Sequence, residues 1–170
     1  MLERAFRPYG TVRVQTWAAG APAPSLVQEA IGVAWPQKTG TVASGRVDVI
    51  CVGPAEWLVL TAKPDAALWM ERLGALFQGS AYRATDMSQA LLHVQVEGPQ
   101  VRDLLAKGCA LDLHPSLFPP GRSARTRFAS MPVIVRCIRH SSFELIVTLS
   151  YADYLMSWIE DSELEFETTQ

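Results

Sequence analysis

The residues best placed to do chemistry in this chain are arginines. Between Asp112 and Glu144 there is no acidic residue, and the stretch holds Arg122, Arg125, Arg127, Arg136 and Arg139. Arg125 and Arg127 are two apart, so on a strand both point to one face while Thr126 and Phe128 point to the other. Guanidinium forks bind carboxylates and phosphates in fixed geometry, so such a face suits an acidic partner chain ahead of a small anion. The competing reading is a solvated strand face that keeps a sheet edge from aggregating. Trp17 and Trp35 add large apolar surface of the kind that a partner covers. Together with Arg122, Arg125 and Arg127 they make up the candidate partner interface.

The groups needed for catalysis by the common routes are not gathered in the sequence. There is no Gly-x-Gly-x-x-Gly, no Gly-x-x-x-x-Gly-Lys-Ser/Thr and no Gly-x-Ser-x-Gly, so no backbone cradle for a nucleotide and no nucleophile elbow is visible. His93, His114 and His140 lie far apart and none has a Cys or His at metal-ligand spacing. His93, in Leu92-His93-Val94, reads as a satisfied strand histidine. Asp86 and Ser88 read as a side-chain-stabilised turn, and less readily as the site of a base. Asp112 and His114 share a side if extended, as either a proton-transfer pair or an exposed turn ion pair.

A net charge of −2 argues against a dedicated nucleic-acid binder. The charge is unevenly spread: residues 1–140 hold 15 basic and 10 acidic groups, whereas residues 141–170 hold seven acids and no Lys or Arg. A basic body with an acidic end suits oriented docking, although a solvated surface with an acidic tail has the same composition. Cys51, Cys109 and Cys137 form no CxxC pair, and two of them sit in apolar runs as small hydrophobes. The expectation is a reduced, cytoplasmic protein. The N-terminal residues lack the apolar run of a signal peptide, and no stretch approaches the roughly 20 apolar residues of a membrane span.

The elements that must position these groups follow from periodicity. With 49% hydrophobic residues and five tryptophans the chain can bury a sizeable core. The first ten residues look like an arm ending in the turn Pro8-Tyr9-Gly10. Thr11–Trp17 alternates as a half-buried strand. An Ala/Gly/Pro loop runs from Ala18 to Pro24, and Ser25 is placed to cap a helix over Leu26–Ile31. After a loop from Pro36 to Gly45, Val47–Val52 and Glu56–Leu60 form a hairpin across Gly53-Pro54-Ala55. Pro64-Asp65 starts a helix whose Trp69, Leu73, Leu76 and Phe77 share a face, and Tyr82–Asp86 returns as a strand.

A second unit repeats the order. It has a strand over Ala90–Glu97, then a helix from Gly98-Pro99 with Val101, Leu104 and Leu105, closed by Lys107 and Gly108. A Pro-rich excursion covers Cys109–Gly121. Arg125–Phe128 and Val133–Ile138 run extended, interrupted by Met131-Pro132. Phe143–Thr148 is a strand, and Ser150 caps a helix bearing Tyr151, Leu155, Trp158 and Ile159. Residues 160–167 hold five acids and either add a last edge strand or stay loose. The expected fold is α+β, with two split-βαβ, ferredoxin-like lobes at about residues 11–87 and 90–167 in a single 170-residue domain.

Several phrases, in order, resemble the sarcosine oxidase gamma-subunit family. They are Val52-Gly53-Pro54-Ala55-Glu56-Trp57-Leu58-Val59-Leu60, Asp86-Met87-Ser88, and the run from Gly98-Pro99-Gln100-Val101-Arg102 to Gly108-Cys109. Leu111-Asp112-Leu113-His114-Pro115, Phe118-Pro119-Pro120-Gly121-Arg122 and Ala124-Arg125-Thr126-Arg127 follow. Phe143-Glu144-Leu145 and Ser150-Tyr151-Ala152-Asp153-Tyr154-Leu155 complete the set, which covers about residues 46–160. The resemblance implies a fold similar to the folate-binding aminomethyltransferase family. It also implies membership of a complex with alpha, beta and delta subunits that oxidatively demethylates sarcosine to glycine. In such a complex the flavins, NAD and folate belong to alpha and beta and a zinc to delta, with no cofactor, metal or catalytic residue assigned to gamma.

Two positions depart from the family pattern. Ala55 stands where Asp is usual, and Leu149-Ser150 where Arg-Ser is usual, which leaves open a gamma subunit of a related N-methyl amino acid dehydrogenase. A homodimeric module also fits the sequence, as does a stand-alone folate-binding protein with Asp86 and Glu97 as the carboxylate and base of its pocket.

Overall fold

The computed structural model describes residues 2–17 and 22–167. The chain divides into two compact units: Pro8–Gln89, and Ala90 onward together with the N-terminal residues through Arg7. Strand β1, Glu3–Phe6, therefore belongs to the second unit.

The first unit runs β2 (Tyr9–Thr16), α1 (Pro24–Ile31), β3 (Val42–Ser44), β4 (Asp48–Gly53), β5 (Glu56–Ala62), α2 (Ala66–Leu76) and β6 (Tyr82–Asp86). The sheet order is β3-β4-β5-β2-β6, with antiparallel pairs throughout. Leaving β3 aside, this is the 4-1-3-2 order of a split βαβ unit. Alternation sets which side chains share a face: Val12, Val14, Val49, Cys51, Trp57 and Val59 line one and pack with Val27 and Ile31 of α1 and Trp69 and Leu73 of α2. Burial of each large apolar side chain contributes about 1.5–3 kcal/mol, so this face is the main source of cohesion.

The β4–β5 turn, Pro54-Ala55, places a proline first and a positive φ second, with Ala55 at φ 53. That is the residue pattern of a type II turn, except that the second site normally carries Gly or Asn. Helix α1 begins at Pro24 with Ala23 before it, and no side chain caps it, so Ser25 lies inside the first turn. Of the expected 18–24 loop, residues 18–21 lie outside the described residues.

The second unit runs β1, β7 (Leu91–Glu97), α3 (Val101–Gly108), β8 (Ser123–Phe128), β9 (Met131–Arg139), β10 (Ser142–Thr148) and α4 (Ala152–Glu167). Its sheet order is β1-β7-β10-β9-β8, again antiparallel. Leaving β8 aside, the same 4-1-3-2 arrangement recurs, but the fourth strand is β1 from the start of the chain. Residues 160–167 do not form that edge strand; they continue α4. Arg4 of β1 reaches Glu160 at 3.1 Å and Glu163 at 3.5 Å, so the N-terminal strand and the acidic helix hold each other. Lys107 bonds Glu165 at 2.8 Å and lies over the Phe166 ring. Part of the acidic end is therefore neutralised within its own unit.

Val94, Val96, Val133, Val135, Phe143 and Leu145 form one sheet face against Leu104 and Leu105 of α3 and Leu155 and Ile159 of α4. Gly108 is the last residue of α3 rather than a left-handed cap, and Cys109 follows it in extended backbone. A Cβ at Gly108 would sit 2.9 Å from the Trp158 ring and 3.0 Å from Phe128, so close ring packing requires glycine there. The break between β8 and β9 falls at Ala129-Ser130, with Ala129 at φ 49, and Met131-Pro132 opens β9 instead of interrupting it.

Candidate partner interface

Strand β8 is the edge of the second sheet, and its burial alternates along the arginine run. Arg125 and Arg127 are exposed, while Phe128 is buried in the core and Thr126 is half-buried. The register sets Arg125 opposite Ile134 and Arg127 opposite Pro132. Pro132 lacks an N–H and stands at the start of β9, where a strand tolerates proline. Arg127 donates from Nη2 to the Ser130 carbonyl at 2.9 Å, which steadies it over the hairpin turn. Arg122 is half-buried at the approach to β8.

The two tryptophans part company. Trp17 is 51% exposed at the end of β2. Trp35 is only 6% exposed, packed 4.9 Å from Trp57 and 6.0 Å from Phe77 inside the first unit. The Trp57 indole N–H donates to the Pro36 carbonyl at 2.7 Å, so the loop carrying Trp35 is fastened inward. Trp35 is a core residue with little surface to offer, and this removes it from the expected contact set.

The same sheet face that carries Arg125 and Arg127 continues into a buried polar ladder. Arg136 pairs directly with Glu144 across β9 and β10, and its Nη1 donates to Glu144 Oε2 at 3.4 Å. His93 Nδ1 lies 3.3 Å from Glu144 Oε1. Exposure is 0% for Glu144, 2% for His93 and 5% for Arg136, so this carboxylate is surrounded by its partners and not by water. Gln95 donates to Ser142 at 2.8 Å and to Glu97 at 3.0 Å, and accepts from Arg7 Nε at 2.6 Å. Arg139 grips both oxygens of Glu97 at 3.0 and 2.8 Å. Burial pushes the Glu97 carboxyl up, but the bonds and charge of Arg139, with Ser142 and Gln95, outweigh it and hold the group below the usual range.

His93 thus has the satisfied strand role expected of it, with Glu144 as its partner. Arg136, grouped in the sequence with the surface arginines, belongs to the ladder. The signal for this ladder was present as the period-two run His93, Gln95, Glu97, but its cross-strand partners depend on register.

The remaining candidates are held by hydrogen bonds within the chain. Asp86 accepts from the Ser88 hydroxyl at 2.5 Å and the Ser88 N–H at 2.9 Å, and these bonds lower its pKa. The Ser88 oxygen in turn accepts from the Thr11 N–H at 2.9 Å. Asp112 accepts from the backbone N–H of His114 at 2.8 Å, and the His114 ring pairs with Ser116 at 2.7 Å, so the two make neither a proton-transfer pair nor an ion pair. Arg102 on α3 carries no signal in the sequence beyond its place on a helix. It donates to the carbonyls of Leu113, Phe118 and His140 and lies 4.8 Å over the Phe143 ring, fastening the 109–121 excursion.

All three cysteines are free and buried, and burial raises the thiols of Cys51 and Cys137. Among the described residues no three His, Cys, Asp or Glu side chains gather as a metal site. No helix of the described residues is long and apolar enough to cross a membrane.

Comparison with known proteins agrees with this architecture. The family model described as sarcosine oxidase, gamma subunit family matches residues 16–165. The sarcosine oxidase subunit gamma of Corynebacterium sp. (strain U-96) is 31% identical over 154 residues, covering 89% of this chain and 74% of the relative. A chain of the solved heterotetrameric sarcosine oxidase from Corynebacterium sp. U-96, in complex with pyrrole 2-carboxylate, superposes with a TM-score of 0.89 at 24% identity. That match covers 99% of this chain and 87% of the other. The glycine cleavage system aminomethyltransferase T from Bartonella henselae superposes with a TM-score of 0.67 at 10% identity, over 93% of this chain and 45% of its own. These two structural likenesses show the fold, which is the aminomethyltransferase-like one that the resemblance implied. Since the family model extends over residues 16–165 and a curated gamma subunit is 31% identical, the chain belongs to the sarcosine oxidase gamma subunit family.

Proposed function

We propose that this protein is the non-catalytic gamma subunit of a heterotetrameric sarcosine oxidase-type complex that oxidatively demethylates sarcosine to glycine. Alpha, beta and delta subunits are its partners. Flavins, NAD and folate reside in alpha and beta and a zinc in delta. The chain supplies shape and contact area, through the arginine edge of β8 and through Trp17. The observation that supports this reading most is the commitment of its titratable groups. Asp86, Asp112, Glu97, Glu144, His93 and His114 each hold a structural hydrogen bond or ion pair inside the chain. A general base works best with a pKa near the operating pH, whereas the bonds to the charged forms of Asp86 and Glu97 hold both carboxyls below the ordinary range.

The test is direct turnover by the pure chain. Incubated with sarcosine and oxygen it produces no peroxide, and titrated with tetrahydrofolate it shows no micromolar binding that Asp86→Ala abolishes. Either activity in the isolated chain contradicts the subunit reading.

A further inference from the structure

A second cationic feature lies in the first unit. Arg46 sits in the bend between β3 and β4, and Arg72 lies on α2 one turn after Trp69. Both guanidinium carbons stand over the same indole, 5.9 Å and 5.3 Å from the Trp69 ring centroid. Trp69 is itself buried among Leu73, Phe77 and the sheet, so the ring is a fixed platform. Cation–π contact orients a guanidinium without occupying its N–H donors. Both arginines are exposed, and among the described residues neither meets a carboxylate. Glu71, beside Arg72 on the helix, does not pair with it. Arg4, Arg13, Arg136 and Arg139, by contrast, all have a carboxylate within 3.5 Å. Two like charges held to one ring, with no carboxylate bonded to either, form a local cationic feature.

We propose that Arg46 and Arg72 form a socket for an acidic segment of a companion subunit, with one carboxylate for each guanidinium fork. The proposal rests on the subunit reading given above and deepens it by naming where a partner's acids dock. A polypeptide segment is favoured over a small anion because each guanidinium keeps its own N–H edge for a bidentate pair, which calls for two carboxylates rather than one. The indole fixes the donors in advance, which reduces the ordering cost of binding.

The experiment uses the complex purified through a tag on this chain after co-expression with the companion chains. Wild type is compared with Arg46→Glu/Arg72→Glu, with Arg46→Gln/Arg72→Gln in case charge reversal prevents folding. Retention of the companions is read against increasing NaCl, with circular dichroism of each pure variant as the check on folding. The expected result is that a folded variant loses companions at least about tenfold more readily than wild type, with a flatter salt dependence for the Gln pair. Equal retention by a folded variant overturns the socket and leaves the subunit reading standing. A wild-type chain that retains no companion overturns both. Light scattering that shows the pure wild-type chain dimerising, and the Gln pair monomeric, assigns the socket to a second copy and overturns the proposal.

Discussion

Replacing Arg102 is the sharpest test of how this chain holds its irregular segment. The guanidinium donates from Nε to the His140 carbonyl at 3.0 Å and from Nη1 to the Leu113 carbonyl. It also approaches the Phe118 carbonyl at 3.4 and 3.5 Å and lies 4.8 Å over Phe143. Two bonds from a charged donor contribute about 1.5 kcal/mol each. The ring contact adds about 0.5–1 kcal/mol. The long Phe118 approaches are left out of the sum, since bonds near 3.5 Å are weak. Arg102→Ala is therefore expected to cost about 3–4 kcal/mol, a large part of the roughly 5–15 kcal/mol that holds a typical protein folded. Arg102→Lys keeps the charge but loses the fork, and should cost about 2 kcal/mol. Urea denaturation followed by circular dichroism measures the loss, and amide hydrogen exchange over residues 109–121 shows where it falls. Should Arg102→Ala lose less than about 1 kcal/mol, or leave exchange in 109–121 unchanged, the clamp assigned to this arginine does not exist.

Glu144→Gln removes the buried carboxylate that faces Arg136 and His93 and should destabilise by about 3 kcal/mol, the lower end for a broken buried pair; a loss under about 1 kcal/mol in the same urea assay would contradict the ladder. Ala55→Gly relieves an L-residue at φ 53 and should stabilise by about 0.5–1 kcal/mol, read as a raised urea midpoint at unchanged slope. Asp86 titrates below the ordinary carboxylate range because Ser88 bonds its charged form. Its contribution to stability is therefore complete above that range and lost as pH falls through the lowered value. Ser88→Ala should return the Asp86 titration toward the ordinary range in a carboxyl NMR experiment, and an unmoved titration would show that Ser88 is not the cause.

Where one face of an element is buried within its own unit, the residues announce it. The Val12/Val14 alternation, the Trp69/Leu73 spacing and the Val101/Leu104/Leu105 face all lie where periodicity put them. Strand β1 did not announce itself, since all four of its residues are exposed and alternation vanishes. Its partner β7 lies some 90 residues away, and only that pairing makes it a strand. The end of α4 was obscured by its acids, which read as a loose tail until Arg4 and Lys107 are seen to neutralise them. At the candidate interface, the common face of Arg125 and Arg127 was legible because a strand's period is fixed. The burial of Trp35 was not, because it depends on Trp57 and Phe77, which approach only after the sheet and α2 form. Likewise the pairing of Arg136 with Glu144 follows from a hairpin register that no local pattern encodes.

The central claim is that this chain gives contact surface to a flavoenzyme whose reactive groups lie in its companions. Native mass spectrometry of the assembly isolated through a tag on this chain, with sarcosine-dependent peroxide followed on the same sample, tests it most directly. The account predicts one copy of this chain with three different companion chains, flavin in that assembly, and activity that stays with it. Recovery of the chain alone or only with itself, or peroxide production that survives removal of the companions, would contradict it.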